Sequence, residues 1–335
     1  MPADTGPDRF DPGQADRLPQ SPGQVDTRPD LGVTHLDASA SVLVEAIESG
    51  PPSGTKRKKL GVGAWLAIIW LGGLLVLAII APWIGLPDPN ESFPEIARQG
   101  PSAGHWLGGD GNGRDLLARI IYGTRASFAV GFGAVAFGML IGGMLGLITG
   151  FFRGKLDAVL TPLMNVLLAI PQFVLALSLV TVLAAGDTVS STRRLSVVVL
   201  GLGLVSIPIL GRITRANTLT WSEREFVLAS RAMGAKSWRI MLREVLPNVV
   251  PAMLSIALLG VGVAIVAEGG LSLFGVGVQL PTPSWGNIIA ENRAQLRRAP
   301  QTIIFTSIVL FLTVMALNYL GDTISQRLNV RESVL

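Results

Sequence analysis

The 335-residue chain contains no cysteine. That absence excludes disulfides, thiolate metal sites and a cysteine nucleophile. Histidine is nearly missing: His35 and His105 stand far apart in polar segments and are expected to be solvated loop residues. Charge is scarce as well, at 15% of residues, where about a quarter is ordinary for a soluble domain. A phosphate-binding loop is also lacking. The single Gly-Lys pair, Gly154-Lys155, is followed by Leu156, and Thr149 stands where the loop's first glycine belongs. The chain is therefore not expected to bind ATP by that route, so any energy it uses must come from a partner chain or an ion gradient. Asp110-Gly111-Asn112-Gly113 opens like a calcium loop, but Arg114 takes the fifth ligand position and Ile121 the twelfth. No Ser-His-Asp set is available. No catalytic residue, resident cofactor or metal site is expected.

What the chain has is apolar length. It is 49% hydrophobic, with a mean hydropathy of +0.51. Its runs come near the length that crosses ~30 Å of hydrocarbon. They lie at about Leu60–Ile84, Ser127–Phe152, Ala158–Ala185, Leu195–Ile213, Val249–Leu273 and Thr302–Leu320. Six crossings put both termini on one side, and the pattern predicts an all-α polytopic membrane protein. Lys56-Arg57-Lys58-Lys59 precedes the first run and resists translocation. With both termini in the cytoplasm, fifteen basic residues fall inside and nine outside, which favours that orientation. The net charge of +4 reflects these loops rather than nucleic-acid binding. Residues 1–55, with nine acidic residues against three arginines, are expected to be a disordered cytoplasmic extension. Within them, Ala38–Ile47 is compatible with a transient helix, and no apolar stretch after Met1 suggests a signal peptide. Residues 56–335 form the expected transmembrane domain.

Glycines at 138, 142, 146 and 150 lie one per turn along a single stripe, where another helix backbone can approach closely. Trp65, Trp70 and Trp83 fall in or near the first run, and the outer ones are expected to anchor at the interface. Pro171 and Pro208 are expected to bend the third and fourth helices. Glu268 sits in an apolar run, where a carboxylate needs a partner, water or a proton. It is a candidate for the translocation path or for a structural hydrogen bond.

The loop between the fourth and fifth runs, about 216–248, carries the most information. Ser222 and Glu225 have the spacing of a capping box, and Phe226, Ala229, Ser230 and Met233 share one helical face. Gly234 suits a left-handed stop, and Ser237 is placed to cap a second short helix ending before Pro247. Two short helices at the cytoplasmic surface would suit docking into a partner's cleft.

These residues resemble the coupling loop of the permeases of ATP-binding-cassette (ABC) importers. That loop reads Glu-Ala-Ala, three residues, Gly, nine residues, then a hydrophobic-X-Leu-Pro ending. Leu228-Ala229-Ser230, Gly234, Leu246 and Pro247 keep the spacing, with Leu228 for the acid, Ser230 for the second alanine and Glu244 for the late hydrophobic. His105–Phe128 is similar to a signature of the peptide and nickel branch, second permease type, through Asp110, Gly113, Arg114, Asp115 and Arg119, with Gly109 where threonine is usual. Ala267–Asn287 matches the same branch through Glu268, Leu271–Gly275 and Pro283–Gly286, and Asn318–Asp322 adds a third stretch.

The resemblance implies a type I ABC importer permease fold with six transmembrane helices in a bacterial inner membrane. It implies a second homologous permease, two ATP-binding subunits and an extracytoplasmic substrate-binding protein as partners. It assigns Leu228, Ala229, Ser230, Arg231, Gly234, Ala235, Lys236, Leu246 and Pro247 to coupling. Asp110, Gly113, Arg114, Asp115 and Arg119 form its external signature, and Glu268 its path candidate. Di- or oligopeptides, glutathione, nickel or another small solute remain open as cargo. A stand-alone secondary transporter, with broken helices and clustered intramembrane charges, is the alternative from another class.

Overall fold

A computed structural model describes residues 60–185 and 191–329. The expected extension over 1–55, its Ala38–Ile47 helix and the Lys56–Lys59 cluster lie outside the described residues. Among those residues the secondary structure is helical, with only isolated β-bridges in the segment from Ser92 to Asp115.

Helix α1, Val62–Ile80, buries only small or single residues such as Ala64, Ala67 and Ala78, and turns Val62, Leu66, Ile69 and Val76 outward. An apolar helix that buries so little is solvated by lipid. A long segment then leads to α2, Leu116–Phe152, which carries a π-turn at Met139–Gly143. The third apolar run is not one helix. It divides into α3, Gly154–Ala169, and α4, Gln172–Leu183, which meet at 94°. Ile170 precedes Pro171 and is extended, with ψ 132°, as the proline ring demands of its predecessor. Helix α5 runs from Ser191 to Ser222 and continues through Pro208. After the short α6, Glu225–Ala232, come α7, Ser237–Leu273, α8, Trp285–Asn292, and α9, Pro300–Asn329. Among the described residues five helices are long and apolar enough to span a membrane unbroken, and counting the bent α3–α4 pair as one span gives six, the number expected from the sequence.

The bundle is organised by the packing of α2 on α5. A Cβ on Gly138 would lie 2.6 Å from that of Ser206, and one on Gly150 would lie 2.8 Å from the Arg215 carbonyl oxygen. At Gly142 and Gly146 it would collide with the carbonyl oxygens of Ile207 and Gly211. The stripe thus brings two backbones into contact, as its spacing predicts. The main core joins Phe128, Val130 and Val135 of α2, Leu202 and Val205 of α5, and Val261 and Ile265 of α7. A second cluster, around Phe151, Val227, Ile240, Met241 and Val245, lies under the loop after α5. Trp70 of α1 donates its indole N–H to the Thr313 hydroxyl of α9 at 3.1 Å, while Trp65 and Trp83 are exposed as expected of interfacial anchors.

Gly142→Val is expected to lower the stability of the purified protein by roughly 3 kcal/mol, the upper end for overpacking. Gly72→Ala, where nothing lies within 4 Å of the new Cβ, is expected to leave it unchanged. Thermal unfolding in detergent checks both.

Candidate functional site

The loop after α5 is tethered at its entrance. Arg153, at the corner between α2 and α3, bonds Glu223 at 2.5 Å. Ser222 is the last residue of α5, and its hydroxyl donates to the Leu219 carbonyl at 3.0 Å. The capping box expected with Glu225 is therefore not formed: α6 starts from Arg224, without a side-chain cap. What holds α6 is Val227, fully buried against the Phe151–Ile240–Met241 cluster. Arg231 also lies over the Phe151 ring, 5.2 Å from its centroid.

The stop at Gly234 is as expected. Its φ is 79°, its N–H donates to the Arg231 carbonyl at 3.0 Å, and the Ala235 N–H reaches the Ser230 carbonyl at 3.1 Å. This double closure is the Schellman turn that a left-handed glycine permits. The following helix departs from expectation. Ser237 lies inside it, after Lys236, and makes no cap. The helix does not end before Pro247 but continues to Leu273 through a π-turn at Met241–Val245. A wide turn immediately before the proline relieves the clash its ring makes with preceding carbonyls.

Ala229, Arg231 and Lys236 are exposed, and Leu246 is half-buried beside the exposed Pro247. The face expected from Phe226 and Met233 points outward with Leu228 and Trp238, leaving an apolar patch on a basic loop. Two departures from the loop pattern meet each other. The Ser230 hydroxyl donates to the Glu244 carboxylate at 3.0 Å, bracing α6 against α7 across the glycine turn.

At the other end of the bundle, Asp110 gathers its neighbours. One carboxylate oxygen accepts the backbone N–H groups of Asn112 and Arg114, at 2.8 and 2.9 Å. The other accepts Arg114 Nε at 2.8 Å and Arg119 Nη1 at 2.6 Å. Both arginines also reach Glu291 of α8, Arg119 at 3.0 Å. Burial pushes the Asp110 carboxyl up, but the Arg114 N–H and the two guanidinium groups outweigh it and hold the acid below its usual range. Asp115 caps α2 through the Ala118 N–H at 2.7 Å. Its second oxygen bonds His105 Nδ1 at 2.7 Å, so His105 is a ligand of the cap rather than a solvated loop residue. Gly113, at φ 78°, turns the chain tightly enough for its carbonyl to accept the Phe93 N–H. Asp110, Arg114, Asp115 and Arg119 are all buried. They build the loop between α1 and α2.

Glu268 of α7 is buried within the chain and makes structural hydrogen bonds, one of its two expected roles. One carboxylate oxygen accepts the hydroxyls of Ser272 and Ser284, at 2.8 and 2.9 Å. Ser284 in turn caps α8 by accepting the Asn287 N–H, and Trp285 donates its backbone N–H to Ser127 of α2 at 3.0 Å. A Cβ on Gly286 would stand 2.7 Å from the second Glu268 oxygen. The Pro-Ser-Trp-Gly stretch is thus a clasp among α2, α7 and α8. Sequence reasoning missed Glu291, because its partners lie 172 and 177 residues earlier and nothing local marks it.

Residues 142–333, which contain the loop after α5 and the Pro-Ser-Trp-Gly stretch, match the family of binding-protein-dependent transport system inner membrane components. The chain belongs to this family. It is the membrane-embedded permease component of an ABC importer. It is 33% identical over 274 residues to the dipeptide transport system permease protein DppC of Alkalihalophilus pseudofirmus, covering 82% of this chain and 86% of that one. It is 35% identical over 275 residues to the glutathione transport system permease protein GsiD of Pectobacterium atrosepticum, covering 82% and 87%. A chain of the MetNI methionine ABC transporter, solved in inward facing conformations, superposes with a TM-score of 0.54. At 19% identity, over 64% of this permease and 97% of that chain, the likeness shows a shared fold.

The Ser230–Glu244 bond gives this permease a measurable brace. A double-mutant cycle with Ser230→Ala and Glu244→Ala is expected to return a coupling energy of about 1 kcal/mol in thermal stability. Additive effects would remove the brace.

Proposed function

We propose that this chain pairs with a second, related permease to enclose a path for di- or oligopeptides, driven by two ATP-binding subunits and fed by an external binding protein. The loop is the observation that carries this reading. It presents Phe226 and Leu228 of α6, Met233 at its end and Trp238 of α7 outward, on a loop locked by Val227, Gly234 and the Ser230–Glu244 bond. In the mechanism, closure of the ATP-binding subunits on Leu228, Ala229, Ser230, Arg231, Gly234, Ala235 and Lys236 displaces α6. Leu246 and Pro247 then pass the movement into α7. The Arg153–Glu223 contact passes it to the corner of α2 and α3, and the path changes from inward-facing to outward-facing.

The excess of basic residues around this loop supports a cytoplasmic location for it and for both termini. The Asp110–Arg114–Arg119 knot then lies on the external side, where it shapes the surface beneath an arriving binding protein. This chain supplies no ATP-hydrolysing group in this mechanism; hydrolysis belongs to its partners. The peptide cargo is favoured by the dipeptide and glutathione permeases to which the chain is similar.

Uptake of a labelled tripeptide by cells with and without the gene tests the proposal, with nickel uptake measured beside it. Loss of peptide uptake on deletion, restored by the intact gene, is expected. Unchanged peptide uptake with loss of nickel uptake would move the cargo to the metal branch.

A further inference from the structure

The bend at Ile170-Pro171 leaves a cavity of about 560 Å³ between α3 and α5. Its apolar wall includes Met164 and Leu168, and its polar wall comprises Thr161, Asn165, Arg212 and Arg215. The two arginines are not equivalent. Arg215 is held by Asp157 through both carboxylate oxygens, at 2.6 and 2.7 Å, and Thr161 donates to the same carboxylate at 2.6 Å. Arg212 has no such partner: among the described residues no carboxylate pairs with it, and the Asn165 amide makes no hydrogen bond. Both Arg212 and Asn165 are exposed. One unspent guanidinium and one unspent amide therefore line the same hollow.

Position adds a second argument. The Arg153–Glu223 contact puts the start of α3 and the end of α5 at the same end of the bundle. At 1.5 Å per helical residue, the α3 wall of the cavity lies about 10 to 22 Å from that end. It therefore runs from the loop end of the bundle towards its middle. A charged group in an apolar span is costly unless it faces water or a ligand. The volume falls within the ~300–1,000 Å³ of small-molecule sites.

We propose that Arg212 and Asn165 form a carboxylate subsite on the translocation path, which receives the C-terminal carboxylate of a peptide. The inference rests on the peptide reading above. A guanidinium offers two parallel N–H donors to the two oxygens of a carboxylate, and the Asn165 amide offers a third. Every unmodified peptide carries one such group whatever its sequence, so a subsite that reads it alone accepts varied side chains. Met164, unbranched and adaptable, suits the variable part. Asp157 has a defined task here: it neutralises Arg215 and leaves the cavity with a single positive charge. An anionic lipid headgroup offers similar chemistry, and the experiment separates the two.

Because the chain has no cysteine, Ala169→Cys places one thiol of its own in the cavity wall. The importer complex is purified through a tag on this chain and placed in phosphatidylcholine nanodiscs, with or without phosphatidylglycerol. Maleimide labelling of that thiol is then followed on the separated chain. Millimolar tri-alanine is expected to slow labelling severalfold, and tri-alanine amide is not. Arg212→Gln should abolish the protection and Arg212→Lys should retain part of it, all independently of phosphatidylglycerol. Equal protection by both peptides, or none by either, overturns the subsite. So does protection that follows phosphatidylglycerol without peptide. Uptake of tri-alanine by the same importer is measured alongside. Uptake without carboxylate-dependent protection overturns the subsite alone, whereas the absence of both overturns the peptide reading with it.

Discussion

The contact on which the rest of this permease depends is backbone against backbone, where α2 meets α5 along Gly138, Gly142, Gly146 and Gly150. Lipid tails are as apolar as leucine, so helices in a bilayer gain little from hiding apolar side chains. They gain instead from close van der Waals approach, which only small residues allow. Once α2 and α5 are pressed together, three positions follow. The end of α5 at Ser222 lies beside Arg153, so the loop begins from a fixed point. Phe151 comes to rest over Val227 and Arg231, which seats α6. The α3 half-helix, starting at Gly154, must then turn back along α5, and its bend at Pro171 opens the cavity beside Arg212.

At the opposite end, polar groups do what glycine does in the middle. Helix α8 is held at its start by Ser284, shared between its own cap and Glu268, and at its end by Glu291, shared between Arg114 and Arg119. Buried ion pairs contribute little net stability relative to apolar packing, because desolvation offsets the attraction. Their value here is geometric. Three segments far apart in sequence can satisfy these charges in one arrangement, and removing one partner leaves a buried charge uncompensated. The two ends of the bundle thus differ in character. One end is a knot of buried, paired charges, whereas the loop end exposes apolar side chains on a glycine-terminated helix.

Much of this was legible in the sequence, for identifiable reasons. Long apolar runs report spans because a backbone in hydrocarbon must be helical. The glycine stripe and Gly234 were legible because each rests on a property only glycine has. The errors fell where one residue had two available partners. Ser222 has the spacing of a capping box, yet its hydroxyl bonds back to Leu219 inside α5. Ser237 and Pro247 looked like the limits of a short helix, but the π-turn between them lets α7 run through. Pro171 and Pro208 carry the same sequence signal, although one breaks a helix at 94° and the other lies in a continuous one. Glu268 looked isolated because its partners Ser272 and Ser284 are ordinary serines, and Ser284 comes from another helix's cap. The Arg212–Asn165 hollow was invisible, since it exists only after α3 folds back onto α5.

The loop as the contact that receives force from an ATP-binding subunit is the centre of this mechanism, and Met233 tests it most directly. It is 79% exposed at the tip of α6, in a chain without cysteine. Met233→Cys in native membranes, treated with a short thiol-to-amine cross-linker, should join this chain to a nucleotide-binding polypeptide. The yield should change when ATP and vanadate trap the closed state. A chain that stays unlinked while its thiol still reacts with maleimide, or a cross-link indifferent to nucleotide, would contradict it.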